Sequence, residues 1–394
     1  MSTTIHHGTG RRIAYQRSLA RLTQRQLAEA ACIALGTVRK LERDERGASD
    51  QVLQAIAEAL GIDPSALLPQ RDRSDERVHH AMPGLSAAIA AYDVPDDGPV
   101  RPLRDLRRTV DEAVHWRLGA QYARIARHLP PVLAELCRAL QIAPLGERQD
   151  AARLLVAAYR AADAVAFKFG ARDLSARLVE LMRWAAAQAQ DPLLDTSVAY
   201  VRTETFFAAR SYSAGLRALE AAIDASPAPS CTETTACRGA LHMRAAVIAG
   251  RGHSAASAEA HLAEACLLAE QVPEGTYQGT AFGPVSVRIH EMSVAVSLGS
   301  ECVQRVLDDL GAWEPAPPVP KERHSGFFID RARAQLWTGQ LDKAFDSLKT
   351  ARRIAPQHTR EHRWVREDIA TLGRLKRSDA EALTSFARWC RALP

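Results

Sequence analysis

The sequence predicts an all-α fold: a small helical head followed by an array of helix pairs. Three observations carry this expectation. Aromatic residues make up only 6% of the chain, and β-branched runs are scarce in a sequence dominated by Ala, Leu and Arg. Apolar residues recur at helical spacing, as at Leu154, Leu155, Ala158, Ala162 and Val165. Small turn residues recur at near-regular steps, at Gly170, Ser211, Gly252, Gly299 and Gly339. A period of roughly 40 residues built from helix pairs means an α-solenoid. The length leaves room for two or three domains.

The head centres on residues 22–46, LTQRQLAEAACIALGTVRKLERDER. Thr23 followed three residues later by Gln26 is a capping box, so a helix starts at Gln24. Leu27, Ala28 and Ala31 give it an apolar stripe. A turn near Ala31–Ile33 leads to a second helix from about Ala34 to Arg43. At about 100° per residue, Leu41, Ala34 and Glu42 fall within roughly 60° of Val38. Gly36, Arg39, Lys40 and Arg43 gather on the opposite side. One face is apolar and the other carries three cations beside a glycine, which suits a major groove about 12 Å wide. The competing reading is a solvated basic face on an ordinary core helix.

The run from Gly10 to Leu68 resembles the XRE-type, lambda-repressor-like helix-turn-helix domain. The resemblance rests on Arg17, Leu22-Thr23-Gln24, Leu27-Ala28, Ile33, Val38, Leu41-Glu42-Arg43, Glu45-Arg46 and Ile56-Ala57-Glu58-Ala59-Leu60-Gly61-Ile62. It implies a five-helix head whose second helix of the pair lies in the DNA major groove. It further implies that Gln24 holds a phosphate, aided by its helix N-terminus. Leu35, Gly36, Arg39 and Lys40 match positions facing base edges, and Thr37, Arg43 and Arg46 match phosphate contacts. Arg25, on the first helix, is a candidate for a sequence-independent contact. Arg17 and Glu42 match a structural pair, since a lone carboxylate on the inward side is costly. Two residues depart from the family. Cys32 stands where the turn usually has glycine, which predicts a left-handed conformation or a different turn. Ala34 replaces the usual Ser or Thr cap, a loss of about 1 kcal/mol.

Beyond the head, helices are expected at about Asp50–Leu60 and Pro64–Leu67. Residues 1–69 therefore form the DNA-binding domain, and 70–102 a linker with room for one helix near Asp75–Tyr92. Asp93–Pro102, with three prolines and one glycine, is a hinge-like break. Residues 103–394 form the repeat domain, opening with helices at Leu103–Arg127, Pro131–Gln141 and Arg148–Phe169. The segment GQLDKAFDSLKTARRIAP resembles the second helix of a tetratricopeptide repeat, through Gly339, Ala344, Leu348, Ala351 and Pro356. Its repeats run longer than the roughly 34 residues of that standard unit, so the array is TPR-like. Ala312–Pro320, with four prolines, is an extended loop within it. The competing reading of the array is an irregular helical domain.

The segments WRLGAQYARIARHLPPVLAEL, AAYRAADAVAFKFG and TAFGPVSVRIHEMSVAVSLG are similar to actinobacterial regulators that append a TPR-like domain to an XRE-type head. Ser286 stands where those proteins usually have Asn. This resemblance implies transcriptional regulation, often of specialised metabolism or development.

Charge and cysteine usage set the remaining bounds. The net charge of +5 is mild, but residues 11–46 hold nine Lys/Arg against four Asp/Glu. The start, MSTTIHHGTGRRIAYQ, lacks the apolar core of a secretory signal. No apolar run approaches the length of roughly 18 residues that a membrane span needs. Seven scattered cysteines suggest reduced thiols in a cytoplasmic protein. His358 and His362, four apart among arginines, read as solvated helix surface rather than metal ligands. Cys231 and Cys237 fall in a polar loop and are not assigned a redox role. Neither a phosphate loop, G-x-S-x-G nor H-E-x-x-H is present, so no enzyme, metal or cofactor is expected.

Solenoids bind partners on the concave side, lined by the first helix of each pair. These helices are expected near Val198–Ala209, Ala236–Ala249, Pro284–Leu298 and Gly326–Leu336. Their candidates for a small-molecule or peptide effector are Tyr200, Arg202, Phe206, His242, Arg244, Arg288 and His290, each with core packing as the competing role. The expected protein is a homodimeric, sequence-specific regulator on an inverted-repeat operator in double-stranded DNA. The rival expectation is a protein- or peptide-binding scaffold with weak or vestigial DNA binding.

Overall fold

The computed structural model describes residues 9–45, 48–62, 67, 73–376 and 380–392. Those residues form twenty helices and one two-stranded hairpin, so the all-α expectation holds with a single small exception. The chain divides into two compact units, one ending at His79 and the other running from His80 to Leu393. No described helix is long and apolar enough to cross a membrane.

The first unit contains α1 (Thr9–Leu19), α2 (Gln24–Ala30), α3 (Leu35–Glu42) and α4 (Asp50–Leu60). Local chemistry sets these bounds. Thr23 and Gln26 form the reciprocal capping box of α2: Gln26 N donates to Thr23 Oγ1 and Thr23 N to Gln26 Oε1. Ser49 caps α4, which ends at Gly61 in the left-handed conformation (φ 65°). Ala34 gives α3 no side-chain cap. Cys32 adopts φ 51°, so the glycine-like turn survives without its glycine, closed by Ile33 N donating to Ala28 O at 2.9 Å. Ile13, Leu27, Val38, Leu41, Leu53 and Ile56 form the core beneath these helices. Gly10 brings α1 against the end of α3; a Cβ there would collide with the Leu41 carbonyl oxygen. The helix expected at Pro64–Leu67 lies outside the described residues, apart from Leu67, which is buried.

α5 (Arg73–Ala90) carries the chain into the second unit, where its Leu85 and Ile89 are buried. The next segment, expected as a hinge-like break, is fastened to a helix of that unit. Arg138 donates to the carbonyls of Asp96 and Pro99, Gln141 to that of Asp93, and Arg101 pairs with Glu135 at 2.8 Å. Carbonyls of a proline-rich strip have no helix or sheet partner, so side chains supply one. α6 (Leu103–Leu118) and α7 (Tyr122–Ile142) follow. The break expected before Pro131 falls instead at Gly119–Gln121, where Ala120 takes φ 53°, and both Pro130 and Pro131 lie inside α7.

Five helix pairs then succeed one another: α8 (Leu145–Lys168) with α9 (Arg172–Ala189), α10 (Pro192–Ala209) with α11 (Tyr212–Ala225), and α12 (Thr232–Arg251) with α13 (Ala255–Ala269). After the hairpin β1 (Gly275–Tyr277) and β2 (Thr280–Phe282) come α14 (Pro284–Leu298) with α15 (Ser300–Leu310) and α16 (Lys321–Trp337) with α17 (Leu341–Ile354). The five periodic positions, Gly170, Ser211, Gly252, Gly299 and Gly339, fall in the five turns that join partners within a pair. The chain closes with α18 (Pro356–Glu361), α19 (Arg363–Leu375) and α20 (Ala380–Cys390).

Packing orders these helices into two layers. The inner row runs α6, α8, α10, α12, α14, α16 and α19, each against the next, while the second helix of each pair packs outside and touches the following pair. The row curves back on itself: Lys168 of α8 lies 2.7 Å from Glu322 of α16, and Ala123 N, of α7, donates to Gln357 Oε1, of α18. A concave polar space is enclosed between them.

Candidate nucleic-acid interface and ligand cavity

In the first unit, α3 is amphipathic as built. Val38 and Leu41 are 0% and 2% exposed, whereas Gly36, Arg39, Lys40 and Arg43 are exposed. A Cβ at Gly36 would meet nothing within 4 Å, so the backbone there is open to a close-approaching surface. Leu35 and Thr37 are half-buried, Leu35 packing on the head core. Arg43 bends back, donating Nε to the Arg39 carbonyl, and its other nitrogen lies 3.1 Å from Glu45. Arg46 lies outside the described residues.

The inward side of α3 holds a charge cluster. Arg17 donates to both oxygens of Glu42, at 2.6 and 3.1 Å, and also to the Leu22 carbonyl. Gln24 joins it, Nε2 to Glu42 Oε2 at 2.7 Å. The Gln24 amide therefore helps satisfy a nearly buried carboxylate, a partner that sequence reasoning did not assign it. A carboxylate in this position needs such donors, because burial without them is costly. Arg25 is exposed and pairs with Glu29 one turn on, at 3.0 Å. Three cations on one helix face, anchored through the other, form a surface able to meet phosphate and the guanine edge.

In the second unit, the space inside the inner row is a cavity of about 370 Å³. Its volume lies in the range of small-molecule sites. Of the seven residues read from the sequence, Tyr200, Arg244 and His290 line it. The others do not. His242 sits against His261, ring nitrogens 3.1 Å apart; Arg202 stacks over Phe206; Arg288 stacks over Trp313. Phe206 packs where Gly215 leaves room.

Sequence reasoning missed most of the cavity's charge. Arg117, Arg160, Lys168, Arg251, Glu322 and Arg323 all face it. Arg160 donates to Ser197 Oγ, to the Gln278 carbonyl and to Thr280 Oγ1, and Arg117 donates to the Gly279 carbonyl, so both guanidiniums grip the hairpin turn. That turn uses positive φ at Gln278 and Gly279, the residue pair of a tight hairpin. The available signal was a charged residue inside an otherwise buried helical stripe, Arg160 in AAYRAADAVAFK, since arginine is rarely buried without a reason.

The cavity wall alternates cations and rings. Arg244 lies over Tyr200 at 4.8 Å and over Phe207 at 4.9 Å; Arg251 lies over Phe207 at 5.7 Å and over Trp364 at 4.5 Å. Such contacts hold guanidinium planes in place without neutralising them. Arg323 donates to the Tyr200 hydroxyl at 3.1 Å, and its other nitrogen lies 3.3 Å from His290 Nδ1.

His358 and His362, expected on solvated surface, are instead cavity residues, His358 being 3% exposed. The short α18 folds them inward. Lys168 Nζ sits 3.2 Å from His358 Nε2, and Ser325 Oγ 2.7 Å from Nδ1. Because the ammonium can only donate, Nε2 accepts and Nδ1 carries the proton. Burial, and then Lys168, push His358 down to about 3, so it is neutral at ordinary pH.

No curated protein matches the chain. Among solved structures, the crystal structure of Bacillus thuringiensis PlcR in complex with the peptide PapR7 and DNA is 17% identical, covering 67% of this chain and 94% of that one, with a TM-score of 0.29. A score at that level says nothing about what this chain binds. The helix-turn-helix family model HTH_3 matches residues 13–67, the span from Ile13 of α1 past the end of α4. Residues 13–67 are a helix-turn-helix domain of the XRE type.

Proposed function

We propose that this protein is a sequence-specific, DNA-binding transcriptional regulator whose second unit senses an effector. One observation carries the reading: α3, the second helix of a helix-turn-helix domain, exposes Gly36, Arg39 and Lys40 while Val38 and Leu41 anchor its other face. In this reading Leu35, Gly36, Arg39 and Lys40 address base edges, and Thr37, Arg43 and Arg46 address phosphates. Arg25 adds a sequence-independent contact. Gln24 supports the interface from behind through Glu42, and its α2 N-terminus faces the backbone of the duplex.

The protein acts as a homodimer on an inverted repeat with half-sites about 34–36 Å apart, because one small head makes few base contacts and tethering a second makes its binding intramolecular. Regulation of specialised metabolism or development is the biological setting we assign, in the cytoplasm. The cavity supports effector sensing: a space of about 370 Å³ lined by Tyr200, Arg244 and His290 is suited to a compact ligand.

Selection of bound fragments from random duplex, followed by a salt titration, tests the reading. The selected site should be preferred over random duplex by about 10³ or more at physiological salt. Binding governed by salt alone, without sequence preference, would leave a helical-repeat scaffold with vestigial DNA binding as the better account.

A further inference from the structure

The cavity of the second unit carries more positive charge than its own carboxylates neutralise. Lys168 is matched by Glu322 at 2.7 Å, and Arg244 by Glu204 at 3.6 Å. Arg117, Arg160, Arg251 and Arg323 have no carboxylate within 4 Å among the described residues; their partners are carbonyls, hydroxyls, a thioether, an imidazole and ring faces. The two remaining acids do not make up the difference. Burial and the neighbouring Glu204 push the Asp163 carboxyl well above its ordinary range, and Asp330, pushed up to about 6 by burial, is ionised at neutral pH and offsets only one of these four cations. Arg160, pushed down to about 9 by burial and by Arg117, still holds its charge at neutral pH. Three buried polar atoms of lining residues, Arg117 Nε, His362 Nδ1 and Glu204 Oε2, have no hydrogen-bond partner among the described residues.

Uncompensated buried cations are expensive, and a protein keeps them where a ligand supplies the counter-charge. We propose that this cavity binds a small organic anion with at least two negative charges, carboxylate or phosphate, set at opposite ends of an apolar body. The arrangement of the wall gives the separation. Arg117 and Arg160 converge at the hairpin turn, both near Gly279, while Arg251 stands at the Trp364 end beyond the Tyr200, Arg244 and Phe207 ladder. Ile289, Phe327 and Val247 supply apolar wall to the cavity. Guanidinium forks match carboxylate and phosphate oxygens in pairs, so both chemistries fit. The enclosed volume selects a compact molecule. The inference deepens the effector reading and rests on it only for its regulatory consequence; ligand binding is measured without DNA.

Calorimetric titration of the full chain decides the matter. A carboxylate arm uses glutarate and isophthalate, a phosphate arm uses 1,3-propanediol bisphosphate and 1,4-butanediol bisphosphate, and acetate and glucose are controls. At least one arm should bind with Kd below about 1 mM, and neither control should. Arg251→Met and Arg323→Met should each weaken that binding tenfold or more while melting no lower than the parent, because an apolar side chain replaces an unmatched charge. Asp330→Asn should tighten it. Arg39→Ala should leave it unchanged, which separates the cavity from the basic head. Absence of binding in both arms, binding undiminished in the methionine variants, or clearly lowered melting in both of them would overturn the proposal. Loss of operator preference with anion binding intact would sink the regulator reading alone, and the reverse result the cavity proposal alone.

Discussion

Lys168 and Glu322, distant in sequence, meet at 2.7 Å and join the first helix pair of the array to the fifth. The pair closes the curve of the inner row, and both residues line the cavity. Burial by itself would push the Glu322 carboxyl up, but the Lys168 ammonium overrides this and holds it well below the ordinary carboxylate range. Lys168→Met strands that carboxylate. We expect a loss of about 2 kcal/mol, less than the roughly 3–5 kcal/mol of a fully buried pair, because the side chains keep 20% and 28% exposure. The depressed value fixes the pH dependence. Glu322 contributes its full stabilisation above the unfolded carboxylate value near 4.3 and loses it as pH falls towards the lower folded value. Thermal melts between pH 3 and 7 should show the parent losing this contribution at the acid end. The variant, already lacking it at pH 7, should show a flatter profile.

Asp330 should behave in the opposite sense. Burial raises its carboxyl to about 6 despite the Ser293 hydroxyl and the Arg251 guanidinium. A raised folded value favours the protonated folded state, so its contribution is most favourable below pH 4 and is lost as pH rises through 6. Asp330→Asn should therefore stabilise the protein by about 2–3 kcal/mol at pH 7.5 and leave it nearly unchanged at pH 4. Equal effects at both values would mean that the side chain acts through packing and not through ionisation.

The head offers a test of local backbone chemistry. Cys32 sits at φ 51°, a conformation that costs a residue with a Cβ roughly 1–2 kcal/mol, and Ala34 leaves α3 without a side-chain cap. Cys32→Gly should recover part of that strain, since glycine also gains freedom in the unfolded chain. Ala34→Ser should add about 1 kcal/mol through a new cap. Hydrogen exchange of α2 and α3 amides in the full chain should slow in both variants and fastest exchange should remain in the parent. The cap and the turn are separate groups, so the double variant should approach the sum.

These cases mark what was legible in the sequence. Thr23 with Gln26, Ser49 before α4 and Gly61 after it act within a few residues, so their helices could be drawn in advance. The turns at Gly170 and Gly339 were legible for the same reason, both taking positive φ. The cavity was not, because it forms by convergence: Arg117 of α6 meets Gly279 of the distant hairpin, and no local pattern reports that. His358 and His362 misled because their arginine-rich surroundings look solvated, while α18 turns them inward. Pro130 and Pro131 misled in the other direction, since α7 continues through them and the break falls at Ala120. The hairpin left only the Gln278–Gly279 turn as a trace, its strands being very short.

The division of labour on α2 and α3 predicts two different losses on DNA. Arg39 is exposed on the outward face of α3 and makes no ion pair among the described residues, so its guanidinium is available to a base edge. Arg25, on α2, is held by Glu29 at 3.0 Å, and in the proposed reading it meets the backbone of the duplex. Arg39→Ala should weaken binding to the selected operator by about 1–3 kcal/mol and flatten the preference at one base pair, leaving random duplex nearly unaffected. Arg25→Ala should weaken all sequences alike and reduce the salt slope by about one counterion. Competition binding against single-substitution operators at two salt concentrations separates the two patterns. Equal, sequence-independent losses from both variants would mean that α3 is not the helix in the groove, because only a residue at a base edge can lose discrimination without losing phosphate contact.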